Sequence, residues 1–258
     1  MGQKVNPRIF RLSFRDDSSY IETSYEESTL LIYQDLKIKD FISRLFILKG
    51  LLVHTCKTRY TTKSVFLAVS YYKMFSTSSR LVEKDVINIS NTIHLFLNSK
   101  NCFDSLILSL KLKQLNEDVY NLDSYKFEIS KSLYRRHSKD SLFNELFDIL
   151  FVSFLIRNSS SFLVNFLVLK LKSIKTQNKI IFYFKLILSE FFLTNSSRVK
   201  GLKLSVKGRF NKSARSRKKE ISFGSIPLQT LSSDIDYFQS CSYTSVGTFG
   251  VKLWICRN

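Results

Sequence analysis

Gly201-Leu202-Lys203-Leu204-Ser205-Val206-Lys207-Gly208-Arg209-Phe210 is the stretch on which the fold of this chain turns. Leu202, Leu204 and Val206 alternate with Lys203, Ser205 and Lys207, and Arg209 continues the polar parity. Successive side chains of a strand point to opposite faces, so Lys203, Lys207 and Arg209 share one face and the aliphatics the other. Such a strand packs its apolar side on helices and turns its cations outward. A basic segment surrounds and follows it. Between Glu190 and Glu220 there is no acid, while Arg198, Lys200, Lys203, Lys207, Arg209, Lys212, Arg215, Arg217, Lys218 and Lys219 all fall there. Asn211–Lys219 therefore reads as a basic loop or hairpin. A run of this kind neutralises phosphates and releases their counterions; the plainer alternative is a solvated loop.

The whole chain shares this imbalance. Its 258 residues hold 40 Lys+Arg against 21 Asp+Glu, a formal net charge of +19. Charge this one-sided points to a polyanionic partner, nucleic acid before an anionic membrane surface. Hydrophobic residues make up 44%, but the apolar runs are broken by charge or amide groups: Asp148 within 146–156, Asn165 and Lys170 within 161–171, Lys185 and Glu190 within 180–192. These read as buried helices, so no membrane span is expected. Cys56, Cys102, Cys241 and Cys256 form no C-x-x-C pair, and His54, His94 and His137 stand apart, so neither a metal nor any other cofactor is expected.

Upstream, Leu31, Ile38, Phe41, Ile42 and Leu45 recur at helical spacing over 28–49, with Gly50 as a stop. Strands follow at 51–56 and 64–72, the second apolar or aromatic on both faces. A second helix spans 81–98, carrying Val82, Val86, Ile89, Ile93 and Phe96 on one stripe. A short strand at 125–130 is expected to close the sheet, leaving 99–124 as an insertion. Residues 142–156 are hydrophobic nearly all round, which argues for a buried helix. Two more helices are expected at 162–174 and 179–193. Residues 1–25 read as a basic extension in which Lys4, Arg8, Arg11 and Arg15 precede any acid.

The chain opens Met1-Gly2-Gln3-Lys4-Val5-Asn6-Pro7. It closes with Gly208-Arg209, Pro227-Leu228, Asp234-Ile235-Asp236-Tyr237 and Gly250-Val251-Lys252-Leu253-Trp254-Ile255. Both ends resemble protein three of the ribosomal small subunit, the universal S-three family; Arg217, Gly224, Thr230, Leu231, Thr244 and Gly247 also match its pattern. The resemblance is dense over about a quarter of the chain and implies an α+β fold. A degenerate type II KH-like domain would occupy 26–137 and an extra apolar helix 138–160. A C-terminal domain of helices packed on an antiparallel sheet would occupy 161–258. By the same resemblance, the partners are small-subunit ribosomal RNA in the head, mRNA at the channel where it enters, neighbouring head proteins and organelle-specific ribosomal proteins. Contacts to ribosomal RNA would fall to Lys4, Arg8, Arg11 and Arg15, and to Lys203, Lys207, Arg209, Lys212, Arg215, Arg217, Lys218 and Lys219.

Two departures from the family are visible. A functional KH module clamps nucleotides with a G-x-x-G loop, yet no glycine lies between Gly50 and Gly201, so Lys73 and Arg80 flank a segment unable to make that clamp. The family's F-R-R-x-x-K motif at the mRNA channel becomes Phe182-Tyr183-Phe184-Lys185, leaving Lys175, Lys179 and Lys185 as the local candidates. With only 7 Gly and 2 Pro but 23 Phe, the composition suggests AT-rich codons. No targeting segment is read at the start. The expectation is a product of an organelle genome, a mitochondrion first, with an AT-rich bacterium as competitor. The enzymatic rival is a Mg²⁺-dependent nuclease using Asp234 and Asp236, and a second rival is an RNA-binding regulator acting off the ribosome.

Overall fold

The computed structural model describes residues 5–11, 25–60, 64–74, 83–98, 107–115, 137, 140–157, 159–173, 177–193 and 199–257. The chain divides into two compact units, residues 16–118 and residues 1–15 with 119–258.

In the first unit, helix α1 (Tyr25–Leu48) leads into strands β1 (Leu51–Tyr60) and β2 (Ser64–Lys73). Helix α2 (Glu83–Asn98) and strand β3 (Ile107–Gln114) follow. As the sequence suggested, α1 stops ahead of Gly50, whose φ of 74° reverses the chain. The sheet order is β1-β2-β3, with β1/β2 antiparallel and β2/β3 parallel. Helix, two antiparallel strands, helix and a parallel third strand is the expected type II KH-like order. The strand expected at 125–130 lies outside the described residues; the third described strand falls inside the stretch 99–124 read as an insertion. The reason is visible in Leu108, Leu110 and Leu112, whose period-two pattern packs on the core and was hidden by the lysines and serine between them. That core joins Ile38, Ile42 and Phe46 of α1, Val65, Leu67, Val69 and Tyr71 of β2, and Ile89 and Ile93 of α2. Phe41 and Phe96 stack across the two helices at 4.2 Å.

The second unit stacks helices α3 (Ser141–Leu155), α4 (Ser160–Ser173) and α5 (Gln177–Leu193) with strands β4 (Val199–Gly208), β5 (Arg217–Gly224), β6 (Ile235–Thr244) and β7 (Gly247–Arg257). The sheet is antiparallel, in the order β5-β4-β7-β6. Leu202, Leu204 and Val206 of β4 and Val251, Leu253 and Ile255 of β7 are buried, each contributing about 1.5–3 kcal/mol on burial. Helix α3 is apolar on every side because it is enclosed: residues from Phe143 to Phe154 are almost all buried. Among the described residues, no helix is long and apolar enough to cross a membrane.

Two side chains from the sheet hold the α3–α4 junction. Arg257 donates to the Ser153 carbonyl at 3.1 Å, to the Phe154 carbonyl at 3.3 Å and to the Ile156 carbonyl, where α3 ends. Asp236 accepts the Ser160 backbone N–H at 2.8 Å, where α4 begins. A cation at a helix C-terminus and a carboxylate at an N-terminus satisfy orphan backbone groups and complement both dipoles.

The β5 exit is similarly constrained. Gly224 has φ 69°, and a Cβ built there would lie 2.2 Å from the Lys200 carbonyl oxygen. Gly224→Ala is expected to cost about 2–4 kcal/mol, whereas Gly250→Ala, where a Cβ meets nothing within 4 Å, costs under about 1 kcal/mol. Urea unfolding followed by Trp254, the only tryptophan and a residue of this unit, checks both.

Candidate nucleic-acid interface

Strand register assembles the site. On β4, Lys203, Ser205 and Lys207 face away from the helices. Beside them stand Ser222, Glu220 and Lys218 of β5 and Trp254, Lys252 and Gly250 of β7. Tyr237, Gln239 and Cys241 of β6 complete the rows. The open face thus carries Lys203, Lys207, Lys218 and Lys252 against a single carboxylate, Glu220. Lys207, Lys218 and Lys252 are exposed.

Glu220 organises its neighbours. Its carboxylate lies 2.5 Å from Lys218 Nζ and 4.0 Å from Lys203 Nζ. Its pKa is lowered, first by the hydrogen bond from Lys218 and further by the charges of Lys203 and Lys218. Lys203 also lies 5.7 Å from the centre of the Trp254 ring, and Trp254 packs on Tyr237 at 5.1 Å. The tryptophan thus lies between a tyrosine ring and a lysine. A lowered carboxylate pKa means the ion pair persists below the ordinary glutamate range, near 4.3, and is lost as pH falls through the depressed value. Lys218→Gln should return the Glu220 titration toward the ordinary range, as carboxyl NMR would show; an unchanged titration would contradict the pairing.

At one end of the sheet the basic segment folds into a turn at Phe210–Lys212 and the start of β5. Arg209 donates to the Ser213 carbonyl at 2.9 Å and the Val246 carbonyl at 3.4 Å while remaining exposed. Lys212, Arg215 and Arg217 are exposed around this turn. Lys219 differs from the expectation: period two turns it to the helix side, where it donates to Asn178 Oδ1 at 2.6 Å and lies 4.8 Å over Phe210.

The N-terminal candidates divide. Lys4 and Arg15 lie outside the described residues. Arg11 is a correction, because it is buried rather than part of a solvated basic tail. It donates to the carbonyls of Pro7 at 2.8 Å, Thr230 at 2.8 Å, Ser233 at 2.9 Å and Leu228 at 3.1 Å. With its donors committed to backbone carbonyls, it joins the start of the chain to the loop before β6 and offers nothing to phosphate. Arg8 is partly exposed and approaches Asp236 at 3.9 Å. Of the mRNA-channel candidates, Lys175 lies outside the described residues, and Lys179 pairs with Asp140 at 3.4 Å. Lys185 is exposed beside the exposed Phe182. The nuclease pair fares no better: Asp236 is buried under the α4 N-terminus, and the Asp234 carbonyl accepts Arg257 N–H at 3.0 Å.

Lys252 is a residue that the sequence reading quoted in the closing motif but did not join to the site. Only the β4/β7 register, which sets it opposite Ser205, brings it between the other lysines.

The comparisons bear on this same domain. The model of the ribosomal protein S3 C-terminal domain matches residues 185–255. The chain is 24% identical to small ribosomal subunit protein uS3c of Euglena longa over 99% of each chain. It is 48% identical to uS3c of Cyanidium caldarium over 61 residues, 24% of this chain and 30% of that one. It is also 48% identical to uS3 of Aquifex pyrophilus over 58 residues, 22% of this chain and 25% of that one. The chain is similar to the ribosomal protein S3 family, most densely over its C-terminal domain. The matched stretch holds the whole open face, and the full-length likeness to the Euglena protein extends over the first unit as well.

Arg11→Lys and Lys207→Gln should separate folding from binding. The first lowers the Trp254-reported stability by about 1–3 kcal/mol and leaves the salt dependence of RNA binding unchanged. The second leaves stability within about 0.5 kcal/mol and reduces the log–log salt slope by about one.

Proposed function

We propose that this chain is a structural component of the small subunit of an organelle ribosome, seated on ribosomal RNA through the open face of its C-terminal sheet. The observation that carries the reading is the grouping of Lys203, Lys207, Lys218 and Lys252 around one carboxylate, on the domain that matches the S3 family. Arg209, Lys212, Arg215 and Arg217 extend that surface beyond the sheet. These are side-chain cations without a base-reading platform, so they position the protein on phosphates rather than specify a sequence. The expected place is the subunit head, near the channel where mRNA enters. There the exposed described cations on α5 are Lys185 and Lys179, the latter paired with Asp140, so the grip on mRNA is weaker than the family's paired arginines would give.

The organelle is the plastid on this reading. Codon composition favoured a mitochondrion, but AT-rich genomes occur in both compartments and composition does not separate them. The relative matched along its whole length carries the name uS3c, as do those of Cyanidium caldarium and Chlorella vulgaris.

Sedimentation of a native lysate at low and high salt, with mass spectrometry across the gradient, tests the proposal. The chain should travel with small-subunit ribosomal RNA at both salts, in the plastid fraction. Migration free of ribosomes at low salt would overturn the structural role and favour the off-ribosome RNA-binding regulator.

A further inference from the structure

The sheet of the first unit has a face turned from its helices, buried at the end of Leu52 and Tyr72 and exposed at the other, and the S3 C-terminal domain model does not extend to it. Its three strands contain no Asp or Glu. Helices α1 and α2 share a core with one face of the sheet, formed by Val65, Leu67 and Val69 with Leu108, Leu110 and Leu112. Register then fixes what the other face carries. Phe66 lies between Arg59 and Ser109, Ala68 between Lys57 and Lys111, and Ser70 between Thr55 and Lys113. Lys57, Arg59, Lys111 and Lys113 are exposed, and Phe66 in their midst is half-buried. Among the described residues, no acid pairs with Lys57, Arg59 or Lys111.

We propose that this face is a second RNA-binding surface, which takes an unpaired RNA segment by its phosphates and stacks one base on Phe66. Three physical points carry it. Lys57, Arg59 and Lys111, with no acid paired to them among the described residues, repel one another unless a polyanion lies across them. The rows place Lys57 and Lys111 two strands apart, about 10 Å at ordinary strand spacing, on either side of the small Ala68, so a strand of RNA has a shallow path between them. The central aromatic, Phe66, keeps part of its ring exposed, and an aromatic beside cations is the arrangement that binds single strands without sequence preference. The surface also differs from the clamp of a KH module, which needs a glycine loop that this chain lacks. Side-chain cations on the sheet would replace backbone approach at a loop.

The proposal extends the ribosomal reading but is tested apart from it, with purified full-length chain and two RNAs: an unstructured 12-nucleotide oligomer and a base-paired hairpin of equal charge. Lys57→Gln/Arg59→Gln/Lys111→Gln should reduce affinity for the oligomer about tenfold or more and lower its salt slope by about two. Phe66→Leu should weaken the oligomer about threefold to tenfold and leave the hairpin unchanged. Acetylation of Lys57 and Lys111 in the unaltered chain should be suppressed by the oligomer, a readout that needs no variant. Unchanged oligomer affinity in the triple variant, unprotected lysines, or equal effects of Phe66→Leu on both RNAs would each overturn the assignment. A chain that fails to sediment with ribosomes but still shows these effects would sink the ribosomal role and leave this surface standing.

Discussion

The structure depends on a constraint imposed by β4 at the centre of the C-terminal sheet. A strand with period-two alternation must bury one face, and in β4 only Leu202, Leu204 and Val206 are fit to be buried. Once they pack on the helices, Lys203 and Lys207 have no choice but the open side. The neighbours obey the same rule through register: Lys218 follows Lys207, and Lys252 stands across Ser205 from Glu220. A net charge of +19 is therefore not spread evenly. It gathers where the fold leaves a sheet uncovered and at the turn that joins β4 to β5.

Cations that do turn inward have a different fate. Arg11 and Arg257 donate to backbone carbonyl oxygens. An arginine presents several donors in a rigid fork, and backbone carbonyls at a helix end or in a loop are acceptors that would otherwise lose water on burial. These two residues tie the beginning and the end of the chain into the same unit. Asp236 acts from the sheet in the complementary sense, at the start of α4. The residues that match the S3 pattern thus divide into two groups: those that close the domain, such as Asp236 and Gly224, and those that face solvent, such as Lys252 and Arg217.

Much of this was legible in the sequence because local pattern and final environment agree. The alternation at 202–207 gave the strand and its faces, the apolar runs gave the helices, and Gly50 gave the stop of α1. Three features were not legible. The strand at Ile107–Gln114 was masked because Lys111 and Lys113 on its open face made the segment look like a polar insertion. The burial of Arg11 depends on carbonyls more than two hundred residues away, which no local window contains. Lys219 shares a basic run with Lys218, yet one step of parity sends it to Asn178 instead of solvent. In each case the missing term was a long-range neighbour, whether a strand partner or a loop, rather than an intrinsic preference of the residue.

Both units then use a common device: one sheet face packed on helices, the other left for cations. In the C-terminal unit the face proposed to meet phosphates holds a carboxylate and a tryptophan among its lysines; in the first unit the three strands carry no Asp or Glu and Phe66 lies among the cations. The most direct test of the account is electron cryo-microscopy of the native small subunit. Phosphate oxygens should lie within about 4 Å, ion-pair distance, of Lys207, Lys218 and Lys252. A density map in which this face is bare to solvent, or covered by protein, would contradict it.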